Sequence, residues 1–510
     1  MHRPEVNFNL AGQILKQADL SHARTALIFE GNSCSYGEFA ARIRKQATML
    51  REHGVCLGDR VGFLGFNQPA FLETMIAATG LGAVFVPLNF RLTGEELAFI
   101  IDDAGLHTLI VDPELVPVIE KVKNRLPCRH YFAVGAESVM GFDPLDAAVA
   151  AAEPLGGCVE LGQHDTFLIM YTSGTTGLPK GAMLTHGNII FNNVNANLAF
   201  GGSRDDVLLT AAPLFHIGAL NVMTIAALQM GNPLVLIKHF DPGVVLEAIA
   251  RYRITHMFGA PAMYLFMSQH PTFATADLSS INLLIVGGGP CPEPQILLYG
   301  ARGIKFCQGY GLTETAPFST FLGPERCLEK VGSAGLPPIL SGIRIVDEQN
   351  RSVAPNVRGE ICCSGPNIMK GYWNRPDATA QAIDAEGWFH SGDIGYLDDE
   401  GYLFICDRLK DMVISGGENV YPAEVESVLY NHPDISEVAI IGLPDDKWGE
   451  AVTAVVVLHP DKSMTLEALR EFAKPLLARY KIPLRLHLID VLPRNPAGKV
   501  LKFQLREQLG

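Results

Sequence analysis

The chain has 510 residues, of which 48% are hydrophobic and 18% charged, and its formal net charge is −14. That length exceeds one ordinary core, so two or more domains are expected, and the composition is that of a folded protein rather than a disordered one. The acidic balance argues against a nucleic-acid partner, and the ten cysteines form no CxxC pair, which argues against zinc sites of the usual spacing and fits reduced thiols in a cytoplasmic protein.

In chain order, Met1–Asn7 shows no apolar core of a secretion signal. Arg60–Leu64 reads as a strand, Ala70–Thr79 as a helix and Ala83–Pro87 as the next strand. Similar apolar runs recur at Leu109–Val111, Leu208–Thr210, Leu234–Ile237 and Leu283–Val286. Short apolar strands alternating with helices predict parallel sheets covered on both faces, with ligands at the strand C-termini. The stretch Val207–Ile237 carries no Asp, Glu, Lys or Arg. Its His216, Asn221, Gln229, Asn232 and Pro233, with a break at Gly231, favour a buried helix followed by a buried strand over a membrane span. From about Lys330 to Cys406, short strands at Ile343–Val346, Glu360–Cys363 and Tyr402–Ile405 predict a small antiparallel, barrel-like element. Beyond Lys410 a third texture begins. A helix at Pro422–Tyr430, strands at Glu437–Ile441 and Val452–Leu458, a helix at Thr465–Leu477 and a strand at Leu484–Ile489 make an α+β unit. The fold class is therefore α/β: a domain over residues 1–409 with two doubly wound sheets and a barrel-like subdomain, then a smaller α+β domain over residues 410–510.

Five polar clusters punctuate this frame. The first, Tyr171-Thr172-Ser173-Gly174-Thr175-Thr176-Gly177-Leu178-Pro179-Lys180-Gly181, follows the apolar run Phe167–Met170. Backbone N–H groups, hydroxyls and one cation presented together suit a polyphosphate. The order is not that of a Walker A loop, because Gly181 rather than Ser or Thr follows Lys180. The second, Gln308-Gly309-Tyr310-Gly311-Leu312-Thr313-Glu314, offers an aromatic face for a base, a hydroxyl for phosphate and a hard oxygen ligand for Mg²⁺. In the third, Trp388–Asp393, the Asp393 carboxylate could hold ribose hydroxyls. The fourth runs from Asp407-Arg408-Leu409-Lys410-Asp411 to Ser415-Gly416-Gly417-Glu418-Asn419 and also reads as a charged linker. The fifth, Pro493–Lys499, places one lysine on a Gly/Pro-shaped turn. Each is weak alone; their order is not.

Together they resemble the adenylate-forming superfamily of acyl-CoA synthetases, aryl-CoA ligases, luciferases and peptide-synthetase adenylation domains, over nearly the whole length. Leu409–Glu424 and Gly365–Trp373 make the resemblance closest to bacterial ligases for fatty or hydroxycinnamate acids. The resemblance implies an AMP-forming acid–CoA ligase using ATP, Mg²⁺ and coenzyme A. Thr172, Ser173, Gly174, Thr175, Thr176, Gly177 and Lys180 would then close on the β- and γ-phosphates. Tyr310 would stack on adenine beside Gly287, Gly288 and Gly309. Thr313 would touch the α-phosphate, Glu314 would hold Mg²⁺, and Asp393 and Arg408 would bind ribose. Lys499 would sit between carboxylate and α-phosphate, and Lys410 would be the hinge. Gly416, Gly417 and Trp448 would meet CoA, although Trp448 also reads as a hydrophobic anchor. His216 would gate the acyl pocket from the thiol tunnel; a satisfied core histidine is the plainer reading. Gly218, Ala260 and Gly289 would line that pocket, within the runs His216–Ala219, Phe258–Pro261 and Gly287–Pro290, with Gly218 leaving space. Their neighbours include no Lys or Arg to pair a second carboxylate, so the expected acid is bulky and largely neutral. A medium- or long-chain fatty acid is the first expectation and an aromatic acid the alternative. A carrier protein or amine could replace CoA as acceptor. A small-molecule acid is the expected partner, with no transmembrane span; peripheral membrane contact and homodimerisation stay open.

Overall fold

The computed structural model describes residues 7–172, 179–289, 291–408, 411–415, 418–445, 447–494 and 500–510, with the backbone alone at 407, 408 and 419. Two eight-stranded sheets dominate. One runs, edge to edge, through Thr320–Leu322, Phe306–Tyr310, Leu283–Val286, His256–Gly259, Leu208–Thr210, Leu234–Leu236, Thr25–Phe29 and Asn32–Ser35. The other runs through Gly371–Tyr372, Lys180–Thr185, Thr166–Thr172, Val84–Leu88, Arg60–Leu64, Thr108–Val111, His130–Ala133 and Asp143–Pro144. Most of their inner strands pair in parallel, and central ones such as Val84–Leu88 and Leu283–Val286 are wholly buried. Burial on both faces is why these segments read as unbroken apolar runs.

Helices cover the sheets where the sequence caps them. Ser35 accepts from the Glu38 N–H while the Glu38 carboxylate takes the Ser35 N–H, a reciprocal cap that starts helix Tyr36–Glu52. Pro69 opens helix Pro69–Gly80, buried all round between sheet and neighbouring helices. The uncharged stretch is a continuous helical run from Ile217 to Met230, with a wider π-type turn at Leu220–Thr224, closed by Gly231 at φ 76° and followed by strand Leu234–Leu236. No helix among the described residues is long and apolar enough to cross a membrane.

The antiparallel element is a four-stranded sheet of Gly342–Val346, Gly359–Ser364, Phe389–Leu397 and Leu403–Arg408. The C-terminal unit is a five-stranded sheet in which Ile435–Asp445 and Gly449–Leu458 form a long hairpin, with Arg485–Leu488 alongside in parallel. Its helix Leu466–Ala473 stops short of the expected Leu477, because Pro475 removes a backbone donor and ends the turn. All ten cysteines are free thiols.

Candidate active site

Strand Thr166–Thr172 carries the first cluster outward from the core and pairs with Lys180–Thr185 in an antiparallel register. Thr172 lies opposite Lys180, so the two ends of the phosphate-binding candidate are bracketed together. Ser173, Gly174, Thr175, Thr176 and Gly177 lie outside the described residues. The strand is also fastened from below. Tyr171 donates its hydroxyl to Asp103 at 2.7 Å, and Asp103 takes Arg375 at 2.6 Å on its other oxygen. Burial first, then this carboxylate, holds the Tyr171 phenol well above its ordinary range.

Lys180 places its ammonium 4.7 Å above the ring of Tyr372. Tyr372 in turn donates its hydroxyl to Glu314 at 2.8 Å. The two-residue strand Gly371–Tyr372 is held against the phosphate strand by pairing with Met183 and Ala182. Met369 N–H reaches the Glu314 carbonyl at 2.8 Å. Thus Lys180, Tyr372 and Glu314 form one chain of contacts joining the first and second clusters. Sequence reading used Gly365–Trp373 as a family marker and gave Tyr372 no role.

The second cluster closes strand Phe306–Tyr310 and continues into a tight turn at Thr313–Thr315. Gly311 is obligatory there: a Cβ would lie 1.3 Å from the Pro317 carbonyl oxygen. Tyr310 donates to the Asp393 carboxylate at 2.8 Å, which brings the second and third clusters into direct contact. Burial and the Asp393 charge keep that phenol protonated, far above its ordinary range. Asp393 lies opposite Arg408 in the antiparallel sheet, so the two candidate ribose ligands are register partners.

Gly287, Gly288 and Gly289 follow strand Leu283–Val286, and a Cβ at Gly287 would come within 3.1 Å of the Gly309 carbonyl. The expected space at Gly218 is not empty. The Phe258 ring fills it, with a Cβ at Gly218 falling 2.7 Å from Phe258 Cζ and one at Gly287 falling 3.2 Å from Cε2. Ala260 caps the helix Pro261–Gln269, and a Cβ at Gly289 would lie 3.9 Å from Pro261 Cγ. The three pocket candidates therefore gather around Phe258 and Pro261, the ends of the run expected to line the pocket.

His216 packs on Phe215 with ring centroids 4.3 Å apart, next to Phe90 and Phe66. Its Nε2 is closed off from solvent and has no hydrogen-bond partner among the described residues. Burial, then the nearby Arg91 charge, lowers its pKa to about 4, so the ring is neutral at pH 7. A buried ring nitrogen without a partner is costly, and His186 Nε2 shares that state. Trp448 is 40% exposed beside Lys447, which does not fit a buried anchor.

Lys410, Gly416, Gly417 and Lys499 lie outside the described residues. Their flanks are ordered: Ser415 pairs with Glu418, Arg494 bridges to Val500, and Leu501 N–H bonds the Pro493 carbonyl at 2.8 Å.

Residues 14–373 match the family model "AMP-binding enzyme" and residues 424–499 match "AMP-binding enzyme C-terminal domain". The chain is 42% identical over 504 residues to a feruloyl-CoA synthase of Amycolatopsis sp., covering 99% of this chain and 100% of that one. It is 40% identical over 481 residues to a long-chain-fatty-acid–CoA ligase of Mycobacterium tuberculosis, covering 93% of each. Its fold superposes on o-succinylbenzoate CoA synthetase from Bacillus subtilis, solved with its acyl-adenylate intermediate, with a TM-score of 0.87, 34% identity and coverage of 97% and 98%.

Proposed function

The chain belongs to the AMP-binding enzyme family and is an AMP-forming acid–CoA ligase, and from that premise we propose how its residues divide the work and which acid it takes. The observation that carries the division of work is the joining of all three nucleotide clusters through three contacts, Tyr310 to Asp393, Lys180 to Tyr372 and Tyr372 to Glu314.

A carboxylate acylates poorly because its leaving group would be oxide. Its attack on the α-phosphorus of ATP forms a C–O–P bond, breaks the bond to pyrophosphate and leaves a mixed anhydride. Two anions must meet in that step, so positive charge must be preplaced between them. In our reading Lys499 supplies it, Lys180 and the loop from Thr172 hold the departing phosphates, and Thr313 positions the α-phosphate. Tyr310 offers adenine its face while its hydroxyl orients Asp393 toward ribose, with Arg408 beside it. The buried Glu314 carboxylate is a hard oxygen donor of the kind Mg²⁺ takes, and it would hold that ion. When bound, Mg²⁺ neutralises phosphate charge as a Lewis acid. The CoA thiol then attacks the anhydride carbonyl, AMP leaves, and a thioester remains. Residues 410–510 would move as a unit about Lys410 between these steps, replacing Lys499 by Gly416 and Gly417 at the carbonyl, with Trp448 against the CoA nucleotide. His216, neutral and lacking a partner, suits a gate that swings between the two steps. A cytoplasmic location accompanies this reading, supported by ten free thiols.

The acid is bulky and neutral. A medium- or long-chain fatty acid agrees with the mycobacterial relative. A hydroxycinnamate-type acid agrees with the feruloyl relative and is favoured by Phe258, whose ring gives the pocket a flat wall instead of a channel. A panel of fatty and aromatic acids, read by pyrophosphate release with and without CoA, tests both. Aromatic acids should lead in the wild type, and Phe258→Ala should shift the ratio of kcat/KM toward long chains by about 10-fold or more. A wild type that prefers long chains, unaltered in Phe258→Ala, would remove Phe258 as the determinant.

A further inference from the structure

Beside Asp393, within and next to the third cluster, the antiparallel sheet collects three donors of different chemistry. Cys362 and His390 are register partners on neighbouring strands, and Glu360 stands two residues before Cys362, on the same face. The Glu360 carboxylate, the Cys362 sulfur and a His390 ring nitrogen all lie within 4.8 Å of one another. His390 Nδ1 is 2.8 Å from Glu360 Oε2 and 3.5 Å from Cys362 Sγ. Its other nitrogen, Nε2, faces Asp384 Oδ2 at 3.5 Å. Asp384 is itself fixed by Arg344 at 2.8 Å and by the N–H groups of Glu386 and Trp388. Glu360 is fixed too, because its Oε1 accepts the Gly392 N–H at 3.0 Å.

We propose that Glu360, Cys362 and His390 form a binding site for a zinc-type divalent transition metal, separate from the Mg²⁺ of the nucleotide. A tetrahedral zinc ion holds N, O and S donors about 2.0–2.3 Å away, which spaces them about 3.3–3.6 Å apart. The present spacing brackets that value, so the three side chains accept the ion with sub-ångström adjustments. The metal takes the place of the proton shared by Nδ1 and Glu360. The imidazole stays neutral by carrying its hydrogen on Nε2, where Asp384 accepts it, and the Cys362 thiol releases one proton as the S–metal bond forms. A carboxylate behind the metal-bound imidazole is the arrangement that orients histidine ligands. Glu360 and His390 are only half-buried, so water reaches the fourth position. Thiolate and imidazole donors select against Mg²⁺, which keeps oxygen ligands.

The test uses untagged full-length protein, stripped with chelator and titrated with Co²⁺ in Mg²⁺-containing buffer. One equivalent should produce a near-ultraviolet thiolate-to-cobalt charge-transfer band that zinc then displaces. Cys362→Ser should abolish the band, Asp384→Asn should keep it with about 10-fold weaker affinity, and Cys56→Ser, at the exposed thiol, should leave it unchanged. A band that survives Cys362→Ser, or no band at saturating cobalt, overturns the assignment. Neither outcome bears on the ligase reading, because no turnover is measured.

Discussion

His186 and His216 are both held neutral by burial, but to different ends. His186 is fully buried against the Phe167 ring, and its Nδ1 accepts the Leu10 N–H at 3.1 Å. It therefore ties the start of helix Leu10–Leu20 to the start of helix His186–Phe200, a purely structural task. Protonation would place a hydrogen where Leu10 already donates and would bury a charge, so its pKa is lowered to about 4, against about 6.5 in an unfolded chain. The sign follows. The unfolded state binds more protons in that window, so stability is complete above about pH 6.5 and falls as pH drops toward 4. Urea midpoints should decrease from pH 7 to pH 5 in the wild type. His186→Gln should be less stable at pH 7 yet show a smaller decrease on acidification. An unchanged pH dependence in the variant would remove His186 as a contributor. Both rings leave Nε2 buried without a hydrogen-bond partner among the described residues, and what sets His186 apart is the Leu10 N–H that its Nδ1 accepts.

At the scale of elements, the strand Gly371–Tyr372 has two residues and joins the first and second clusters. Lys370 and Trp373 flank it with backbone bonds to Met183 and Gly181 at 2.9 and 2.7 Å, which fixes where the Tyr372 ring stands. Tyr372→Phe keeps the ring beneath Lys180 and removes only the hydroxyl that Glu314 accepts. A buried carboxylate that loses a donor costs about 1–3 kcal/mol. Thermal unfolding should register that loss, and the KM for ATP should rise with it. Tyr372→Leu removes the cation's aromatic face as well and should reduce adenylation further. Wild-type melting and kinetics in Tyr372→Phe would contradict the linkage. The same strand shows where sequence reading stops. Leu208–Thr210 and Leu283–Val286 could be read residue by residue, because a parallel strand buried on both faces leaves an apolar run with clear ends. Clusters at the ends of such runs were legible for the same reason. Tyr372 was not, because two residues show no period and its partner Glu314 is 58 positions away. Phe258 was legible as part of a pocket-lining run, but only the packing reveals that two distant glycines make room for its ring.

At the scale of the whole molecule, the contacts between the large unit and the C-terminal unit among the described residues include an ion pair and a small apolar cluster. Arg358 pairs with Glu424 at 3.3 Å and lies over the Tyr421 ring, and Tyr421 joins a small cluster with Ile394 and Cys406. By contrast each unit has its own extensive core. A polar, partly exposed seam of this kind can break and re-form on the timescale of turnover. The chemistry asks for that motion, because the cation needed while pyrophosphate departs would obstruct the thiol that follows. Two substitutions should therefore divide the reaction in opposite ways. Lys499→Ala should reduce adenylation by about 10²–10³ in kcat, while CoA acylation from supplied acyl-adenylate proceeds at the wild-type rate. Lys410→Pro fixes φ at the proposed pivot; it should release pyrophosphate at the wild-type rate and fail to pass the acyl group to CoA. Rapid-quench measurement of each half-reaction in both variants distinguishes the cases. Equal loss of both halves in Lys499→Ala would mean that the lysine is structural, and full turnover in Lys410→Pro would mean that one fixed arrangement serves both steps.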